Sequence, residues 1–258
     1  MIIPKIIFLV PYRNRAPQKV HFDIYMKYIL EDYKEDEYEI FYVHQLDKRP
    51  FNRGAMKNIG FLAIKSKYPN DYKNITLVFN DIDTIPCIKN ILNYETKNGI
   101  VKHFYGFTFA LGGIFSITGG DFEKCNGFPN YWGWGLEDNA MNKRVINNNI
   151  RIDRSTFFTI GSHNIIQCMD KPLRLINDKE SSIQFSNEGI TDIKNLKFYF
   201  ENNYIQVENF ITRENFNVNE FYSRDISKPG SHQAARNVLK KYTNILPDKN
   251  SRERWKMF

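Results

Sequence analysis

Lys5-Ile6-Ile7-Phe8-Leu9-Val10 is a continuous apolar run that ends at Pro11, and it predicts a buried β-strand. A helical pattern follows behind Pro17, because residues 18–33 carry apolar side chains at broadly helical spacing. The side chains that form this pattern are Val20, Ile24, Met26, Ile29 and Leu30. The chain is therefore expected to open with a strand and then a helix.

The alternation of strand and helix patterns continues through the first half of the chain. Strands are predicted at residues 38–44 and 75–79, and a helix is predicted at 52–67 between them. Strands and helices that alternate at this spacing favour an α/β fold. We expect a mostly parallel central sheet with helices on both faces.

The second half carries a strand pattern at residues 112–117 and a helix pattern at 137–149. The apolar side of that helix is predicted to hold Met141, Val145 and Ile146. A Glu-Asn-Asn turn between residues 198–200 and 204–207 predicts a late β-hairpin. Beyond residue 212 the patterns weaken, apart from a helix-like segment at 233–242. We expect one domain at 1–212, with a basic C-terminal extension at 213–258 packed on it.

Composition places the chain among ordinary globular proteins. Its 258 residues are 42% hydrophobic and 25% charged, which is enough to bury a full-sized core. The net charge of +7 suits an anionic partner such as a nucleotide. The basic residues are thinly spread and form no recognisable nucleic-acid-binding module, so no nucleic-acid partner is expected.

The three cysteines, Cys87, Cys125 and Cys168, form neither a metal-type pair nor an even disulfide framework. No stretch approaches the ~18 consecutive apolar residues of a membrane span, and the N-terminus does not resemble a signal peptide. These observations predict a cytoplasmic protein with reduced thiols and no membrane span. A Golgi location is expected only if the chain is an excised catalytic domain.

Polar clusters follow three of the predicted strands. They are Pro11-Tyr12-Arg13-Asn14-Arg15, Phe51-Asn52-Arg53 and Asp81-Ile82-Asp83. Ligands of parallel sheets gather at the carboxyl ends of the strands, so all three clusters are expected on one rim. Forked arginine donors suit phosphate or uracil oxygens, and Tyr12 and Phe51 could flank a base. The paired aspartates could share a divalent cation with a diphosphate, and aspartate-nucleophile phosphatases use a similar triplet.

Residues 127–138 read Gly-Phe-Pro-Asn-Tyr-Trp-Gly-Trp-Gly-Leu-Glu-Asp, just before the predicted helix. Tryptophan in a glycine-rich loop exposes a large apolar face unless something covers it, and a sugar ring is a natural candidate. Asp138 would then lie beside a bound hydroxyl, where a general base is needed.

Together these motifs, with Asn58-Ile59-Gly60-Phe61 and Gly112-Gly113, resemble the β1,4-galactosyltransferase family, glycosyltransferase family 7. The resemblance covers about residues 5–210 and implies a nucleotide-diphospho-sugar transferase (GT-A-like) fold. It also implies inverting β1,4 transfer of galactose or N-acetylgalactosamine from UDP-Gal or UDP-GalNAc to a glycan acceptor. Animal members carry a membrane anchor and stem in addition to this catalytic part.

The resemblance also implies roles for individual residues. The donor side would be Pro11, Tyr12, Arg13, Arg15, Phe51, Arg53, Asp81, Ile82, Asp83, Gly113 and Trp134. The acceptor side would be Tyr131, Trp134, Glu137, Asp138 and Asn139, with Asp138 as the catalytic base. Trp134 would lie on a loop that closes over the donor, and Gly133 and Gly135 would be the flexible points of that loop.

The metal site departs from the family pattern. Asp83 would bind manganese, but Gln167 stands where the family has a histidine. His163 is therefore predicted as the second ligand, with Gln167 and Met169 as the alternatives. Ala110, where galactose-selective members have a tyrosine, leaves room for an N-acetyl group. Two other functions remain open: a catalytically impaired glycan- or nucleotide-binding protein of the same fold, and an aspartate-nucleophile phosphatase.

Overall fold

The computed structural model describes residues 2–168, 173–177, 187–213 and 221–225. Its centre is β1 (Ile6–Tyr12), the strand predicted from residues 5–10, which is buried along its whole length. Successive side chains of a strand point to opposite faces. Ile7 and Leu9 accordingly pack into one hydrophobic core, and Ile6, Phe8 and Val10 pack into a second core behind the sheet. Burial on both faces explains why the run is continuously apolar.

The remaining elements follow in chain order. The helices are α1 (Ala16–Ile29), α2 (Arg53–Lys67), α3 (Gly119–Lys124) and α4 (Glu137–Asn147), with a 3-10 turn at Ile190–Asp192. The strands after β1 are β2 (Tyr38–Gln45), β3 (Thr76–Asn80), β4 (Thr84–Pro86), β5 (Ile100–Gly106), β6 (Ile114–Thr118), β7 (Arg151–Asp153), β8 (Phe158–Thr159), β9 (Ile165–Gln167), β10 (Leu173–Asn177), β11 (Lys194–Glu201), β12 (Tyr204–Ile211) and β13 (Phe221–Asp225).

The central sheet has nine strands in the order β11-β12-β2-β1-β3-β6-β5-β7, with β8 also paired to β5. β1 is parallel to β2 and β3, β2 is parallel to β12, and β5 is parallel to β7 and β8. β6 and the hairpin partner β11 are antiparallel. The prediction of a mostly parallel sheet is confirmed.

Helices cover both faces of this sheet, as predicted. Phe22, Met26 and Ile29 of α1 pack with Phe8 in one core, while α2 packs with Ile7 and Leu9 in the other. The predicted apolar sides of two helices were partly wrong. Val20 and Ile24 of α1 are 57% and 62% exposed, and Ile146 of α4 is 55% exposed. The buried faces of these helices are formed by other side chains, such as Met26 of α1 and Met141 of α4.

The late hairpin is also confirmed, with Asn202 in a left-handed turn conformation at φ 52°. Its position in the molecule was not predicted. β12 pairs in parallel with β2, so that Tyr204 lies opposite Tyr42, and the hairpin extends the central sheet. A pairing between segments so far apart in the chain leaves no local pattern in either one.

The C-terminal extension is described only in part. β13 lies within it and pairs with β10 in antiparallel register, while the predicted helix-like segment at 233–242 lies outside the described residues. The division at 212 stays a prediction. Within the described parts of the chain, no helix has the length and apolar character needed to cross a membrane.

Candidate active site

Arg53 is the centre of a charged cluster at the rim of the sheet. It is the first residue of α2, behind Asn52, whose side chain caps the helix by accepting from the Ala55 amide at 2.8 Å. Its Nη2 donates to both oxygens of Asp81, at 2.6 and 2.7 Å. Its Nη1 donates to Asp138 Oδ2 at 2.7 Å and also to Glu137. Arg53, predicted as a donor-side residue, therefore joins the D-x-D motif to the two carboxylates that were predicted on the acceptor side.

Asp138 lies in the first turn of α4 and has a cation on each of its oxygens. Oδ2 accepts from Arg53, and Oδ1 accepts from Lys57 Nζ at 2.9 Å. Burial alone raises the pKa of this carboxyl, but the charges and hydrogen bonds of Arg53 and Lys57 outweigh burial and hold it below the usual aspartate value. Burial and the charge of Asp138 raise the pKa of the neighbouring Glu137. The environment thus separates two adjacent carboxylates into a readily ionised one and a readily protonated one.

The loop between β5 and β6 closes over Asp138. The amide of Leu111 donates to the Asp138 carbonyl at 2.9 Å, and a Cβ added at Gly112 would lie 3.0 Å from Asp138 Cγ. The amide of Asp81 donates to the Gly113 carbonyl at 3.0 Å, so the same loop also contacts the D-x-D motif. Gly113 has φ 70°, a left-handed conformation that favours glycine.

His103 supports this loop from within the sheet. It is fully buried on β5, and its Nε2 lies 3.1 Å from the Tyr105 carbonyl and 3.2 Å from the Gly112 carbonyl. Arg154 Nε donates to its Nδ1 at 3.1 Å, which assigns a neutral ring that donates through Nε2. Burial, together with the charge of Arg154, lowers the pKa of His103 to about 4.

The two tryptophans of the 127–138 run have different environments. Trp132 is 5% exposed, stacks on Phe210 at 5.6 Å and donates from Nε1 to Thr212 Oγ1 at 3.0 Å. Trp134 is 43% exposed, and its amide donates to the Leu175 carbonyl of β10 at 2.7 Å. The flanking Gly133 and Gly135 have φ 91° and 116°. Trp132 is a core residue, and only Trp134 has an exposed ring to offer a ligand.

Several predicted contact residues are less available than the sequence indicated. Tyr12 is 9% exposed, and its ring meets Tyr42, His44 and Tyr204 edge-on. That arrangement argues against its stacking on a base. Pro11, Ile82 and Tyr131 are buried, whereas Arg13, Arg15, Phe51 and Asn139 are half-buried. Arg13 donates to the Arg49 carbonyl, and Phe51 packs against the core.

Asp83 lies immediately before β4, which pairs with β9. Thr84 is opposite Gln167, and the Cys168 amide donates to the Asp83 carbonyl at 2.7 Å. Gln167 is therefore one position along the strand pairing from Asp83, and its Oε1 accepts from Tyr105 Oη at 3.1 Å. His163 is not brought to Asp83. The Cys87 amide donates to the Asn164 carbonyl, which places His163 beyond the opposite end of β4. Met169 lies outside the described residues.

The residues around Asp83 suit a divalent cation that also takes oxygens from its ligand. Burial raises the pKa of Asp83, and the charge of Asp81 raises it further. The charge of a bound cation would counteract both the burial of Asp83 and the repulsion from Asp81. No cluster of three histidine, cysteine or acidic side chains that could hold a metal ion occurs in the described ranges. Hard cations bound by one or two carboxylates usually complete their shell with substrate phosphates.

Comparison with known proteins identifies the family. A family model described as the N-terminal region of glycosyl transferase group 7 matches residues 2–95, and one described as the N-terminal domain of galactosyltransferase matches residues 100–167. Together they cover more than half of the chain. The chain belongs to the β1,4-galactosyltransferase family, glycosyltransferase family 7.

Curated members of the family are distant relatives. The chain is 28% identical over 179 residues to xylosylprotein 4-beta-galactosyltransferase of Caenorhabditis elegans. The aligned region covers 66% of this chain and 60% of that protein. It is 26% identical over 239 residues to human beta-1,4-galactosyltransferase 5. This alignment covers 84% of this chain and 58% of that protein. The matched region thus spans about 60% or less of these two relatives.

Solved structures of the family show the same fold. The catalytic domain of Drosophila β1,4-galactosyltransferase 7 in complex with xylobiose superposes with a TM-score of 0.63 at 20% identity. The match covers 84% of this chain and 97% of that domain. A mutant of the same enzyme, in complex with manganese, UDP-Gal and xylobiose, gives a TM-score of 0.62. The predicted GT-A-like fold is confirmed.

Three features of this family member's site were missed from the sequence. Lys57 lies one helical turn after Arg53, a spacing that could have indicated a shared face. Arg174 of β10 is half-buried and interacts electrostatically with Asp83. Phe107, 43% exposed, stacks on Phe109 at 5.2 Å in the loop that closes over Asp138. The abundance of aromatic residues hid this last pair.

Proposed function

We propose that this protein is an inverting glycosyltransferase that moves galactose from a UDP-sugar to a hydroxyl of a glycan acceptor, forming a β1,4 linkage. The observation that carries the proposal is Arg53, which joins Asp81 of the D-x-D motif to Asp138 within one partly buried cluster. The relatives are named as β1,4-galactosyltransferases, and the Drosophila enzyme is solved with UDP-Gal.

The donor diphosphate is proposed to lie along the rim between Arg13, Arg15 and Asp83. Arg15 feels the charge of Asp83, and its forked donors suit phosphate oxygens. Manganese, which the solved relative's complex contains, would be held by Asp83 and would supply Lewis-acid charge to the diphosphate. Arginines already oriented there stabilise the charge that develops as UDP departs. Trp134 would cover the donor and exclude water, which otherwise hydrolyses it.

The acceptor is proposed to approach Asp138 from the side of Trp134, Glu137 and Asn139. Its hydroxyl oxygen forms a bond to the anomeric carbon while the bond to the diphosphate oxygen breaks, and UDP leaves with the electron pair. Asp138 takes the hydroxyl proton, which requires it to be ionised beforehand, and the charges of Arg53 and Lys57 favour that state by lowering its pKa. The stacked Phe107 and Phe109 offer an apolar face for the next sugar ring of the acceptor.

The identity of the sugar on the UDP donor is a more specific proposal. Ala110 is small and 6% exposed in the loop that contacts Asp138, and its size favours a donor site that also admits N-acetylgalactosamine. We therefore propose use of UDP-Gal with tolerance of UDP-GalNAc. The proposed catalytic domain remains 1–212, and the cytoplasmic location stays a prediction.

A second candidate is a glycan- or nucleotide-binding protein that has lost catalysis. Two observations favour it: Gln167 occupies the family's histidine position beside Asp83, and both oxygens of Asp138 are already engaged. The phosphatase alternative loses support, because both oxygens of its candidate nucleophile Asp81 accept from Arg53.

The test is a donor panel followed by mass spectrometry, with UDP-Gal, UDP-GalNAc, UDP-Glc and UDP-GlcNAc, each with and without manganese. We expect transfer from UDP-Gal, stimulated by manganese. Asp138→Asn should lower kcat by ~10²- to 10⁴-fold, because the base is lost, and should leave UDP binding by calorimetry unchanged. Binding without turnover for every donor would support the second candidate. An active Asp138→Asn variant would exclude Asp138 as the base.

A further inference from the structure

We propose that Lys57 is a positioning residue that keeps Asp138 ionised and aimed at the acceptor hydroxyl. The proposal rests on the proposed function, because it takes Asp138 as the base. It adds a residue that touches neither donor nor acceptor and acts through the Asp138 carboxylate.

Helix geometry brings Lys57 to this place. Arg53 and Lys57 are four residues apart on α2 and therefore share one face of the helix. Arg53 Nη1 donates to Asp138 Oδ2 at 2.7 Å, and Lys57 Nζ donates to Oδ1 at 2.9 Å. One cation on each oxygen fixes both the position of the carboxylate and the rotation of its plane.

The burial of the Lys57 ammonium indicates that its charge, more than its packing, accounts for a lysine at this position. The side chain of Lys57 is 1% exposed, and an ammonium is costly to bury unless it is paired. Its neighbours on α2, Met56 and Ile59, are fully buried apolar residues. Nζ also lies 4.2 Å from the centre of the Phe128 ring, a favourable but weaker contact.

The balance of charge around Asp138 shows what Lys57 contributes. Arg53 alone is shared among three carboxylates, those of Asp81, Glu137 and Asp138. From β5, His103 faces the cluster as a neutral ring. Without Lys57, three acidic groups would depend on one cation, and one of them would gain a proton. The charge of Lys57 and its hydrogen bond both lower the pKa of Asp138, in agreement with this balance.

The experiment compares Lys57→Met with Lys57→Arg and with Lys65→Met. Methionine keeps the unbranched shape and most of the length of the side chain, and arginine restores the charge. Lys65 lies on the same helix, but its side chain is 42% exposed and pairs with Glu123. In Lys57→Met we expect the acidic limb of the kcat/KM profile against pH to move up by about one pH unit or more. Lys57→Arg should move it back, Lys65→Met should leave it in place, and the KM for UDP-Gal should not change.

A second readout does not depend on catalysis. Carbon-13 NMR of the aspartate carboxyl groups, with the Asp138 signal assigned from its loss in Asp138→Asn, should show the same upward shift in pKa. If Lys57→Met does not fold, Lys57→Gln replaces it, because it removes the charge and keeps an N–H donor.

The outcomes separate this proposal from the proposed function. A lower kcat in Lys57→Met at every pH, with the acidic limb and the NMR titration unchanged, would overturn the positioning role and leave the function standing. A wild-type protein that transfers no sugar would overturn the function, and the NMR titration would then decide the role of Lys57.

Discussion

The carboxylate of Asp138 lies between two cations of α2 and the bare backbone of Gly112. Gly112 does not need glycine for a left-handed conformation, since its φ is outside that region. It needs glycine because a Cβ would be 3.0 Å from Asp138 Cγ and closer still to Oδ2. At this single position, the absence of a side chain leaves the space that the Asp138 carboxylate occupies.

Gly112→Ala should therefore displace the Asp138 side chain without preventing folding. We expect kcat to fall by about 10²-fold, since misplacement by about 1 Å can cost that much. Steady-state kinetics with UDP-Gal and thermal unfolding are the measurements. Gly120→Ala is the matched control, because its Cβ would lie 3.2 Å from the Lys73 carbonyl, in α3 and away from the site. Equal kcat values for the two variants would contradict this account of Gly112.

Among the elements, the two-stranded ribbon of β10 and β13 is joined to the exposed tryptophan of the site. Leu175 of β10 accepts from the Trp134 amide at 2.7 Å, and its neighbour Arg174 feels the charge of Asp83. β13 pairs with β10 along its length, from Leu173–Asp225 to Asn177–Phe221. A strand from the C-terminal extension thus supports a strand that contacts the site.

A chain that ends at Arg213 should keep the central sheet but weaken donor binding. β12 ends at Ile211, and Thr212, which accepts from Trp132, is retained. Removal of β13 leaves β10 without its partner, so we expect the KM for UDP-Gal to rise about tenfold, equivalent to about 1.4 kcal/mol. A chain that ends at Asp225 keeps β13 and is the control. Circular dichroism should show both chains folded, and equal KM values would contradict the role of the ribbon.

At the scale of the whole molecule, the central sheet separates two cores, and a neutral histidine is buried within it. The pKa of His103 is about 4 in the folded protein, below its ordinary value of 6.5. Between these values the unfolded chain binds more protons than the folded one, so stability falls as the pH falls. The contribution is complete above pH 6.5 and is lost progressively toward pH 4.

His103→Asn should remove this part of the acid sensitivity, because asparagine keeps a donor and an acceptor and does not titrate. We expect the wild-type free energy of unfolding to drop by up to roughly 3 kcal/mol more than that of the variant between pH 7 and pH 4. Urea unfolding at several pH values measures this difference, in which the carboxylates common to both proteins cancel. Parallel stability curves would show that His103 is not buried as a neutral ring.

The strands and helices of the first half were predictable, because apolar periodicity is a local property that each segment carries by itself. The rim was also predictable, since parallel strands end on the same side. The solvent exposure of individual side chains was less predictable. Val20 and Ile24 have the spacing of a buried face and are solvent-exposed, and Trp132 looked like a ligand platform and is core. Periodicity shows which residues share a face, and the neighbouring element decides which face is covered.

The sequence by itself determined the α/β alternation, the rim motifs and the family, because these depend on residue types and on spacing along the chain. Only the tertiary structure decided the partners of the charged groups. It paired Arg53 with Asp81 and Asp138, placed Lys57 on the second oxygen of Asp138, and kept His163 away from Asp83. These pairings join segments that are distant in the chain, and their electrostatics depend on distance and burial, which exist only once the sheet and helices have assembled.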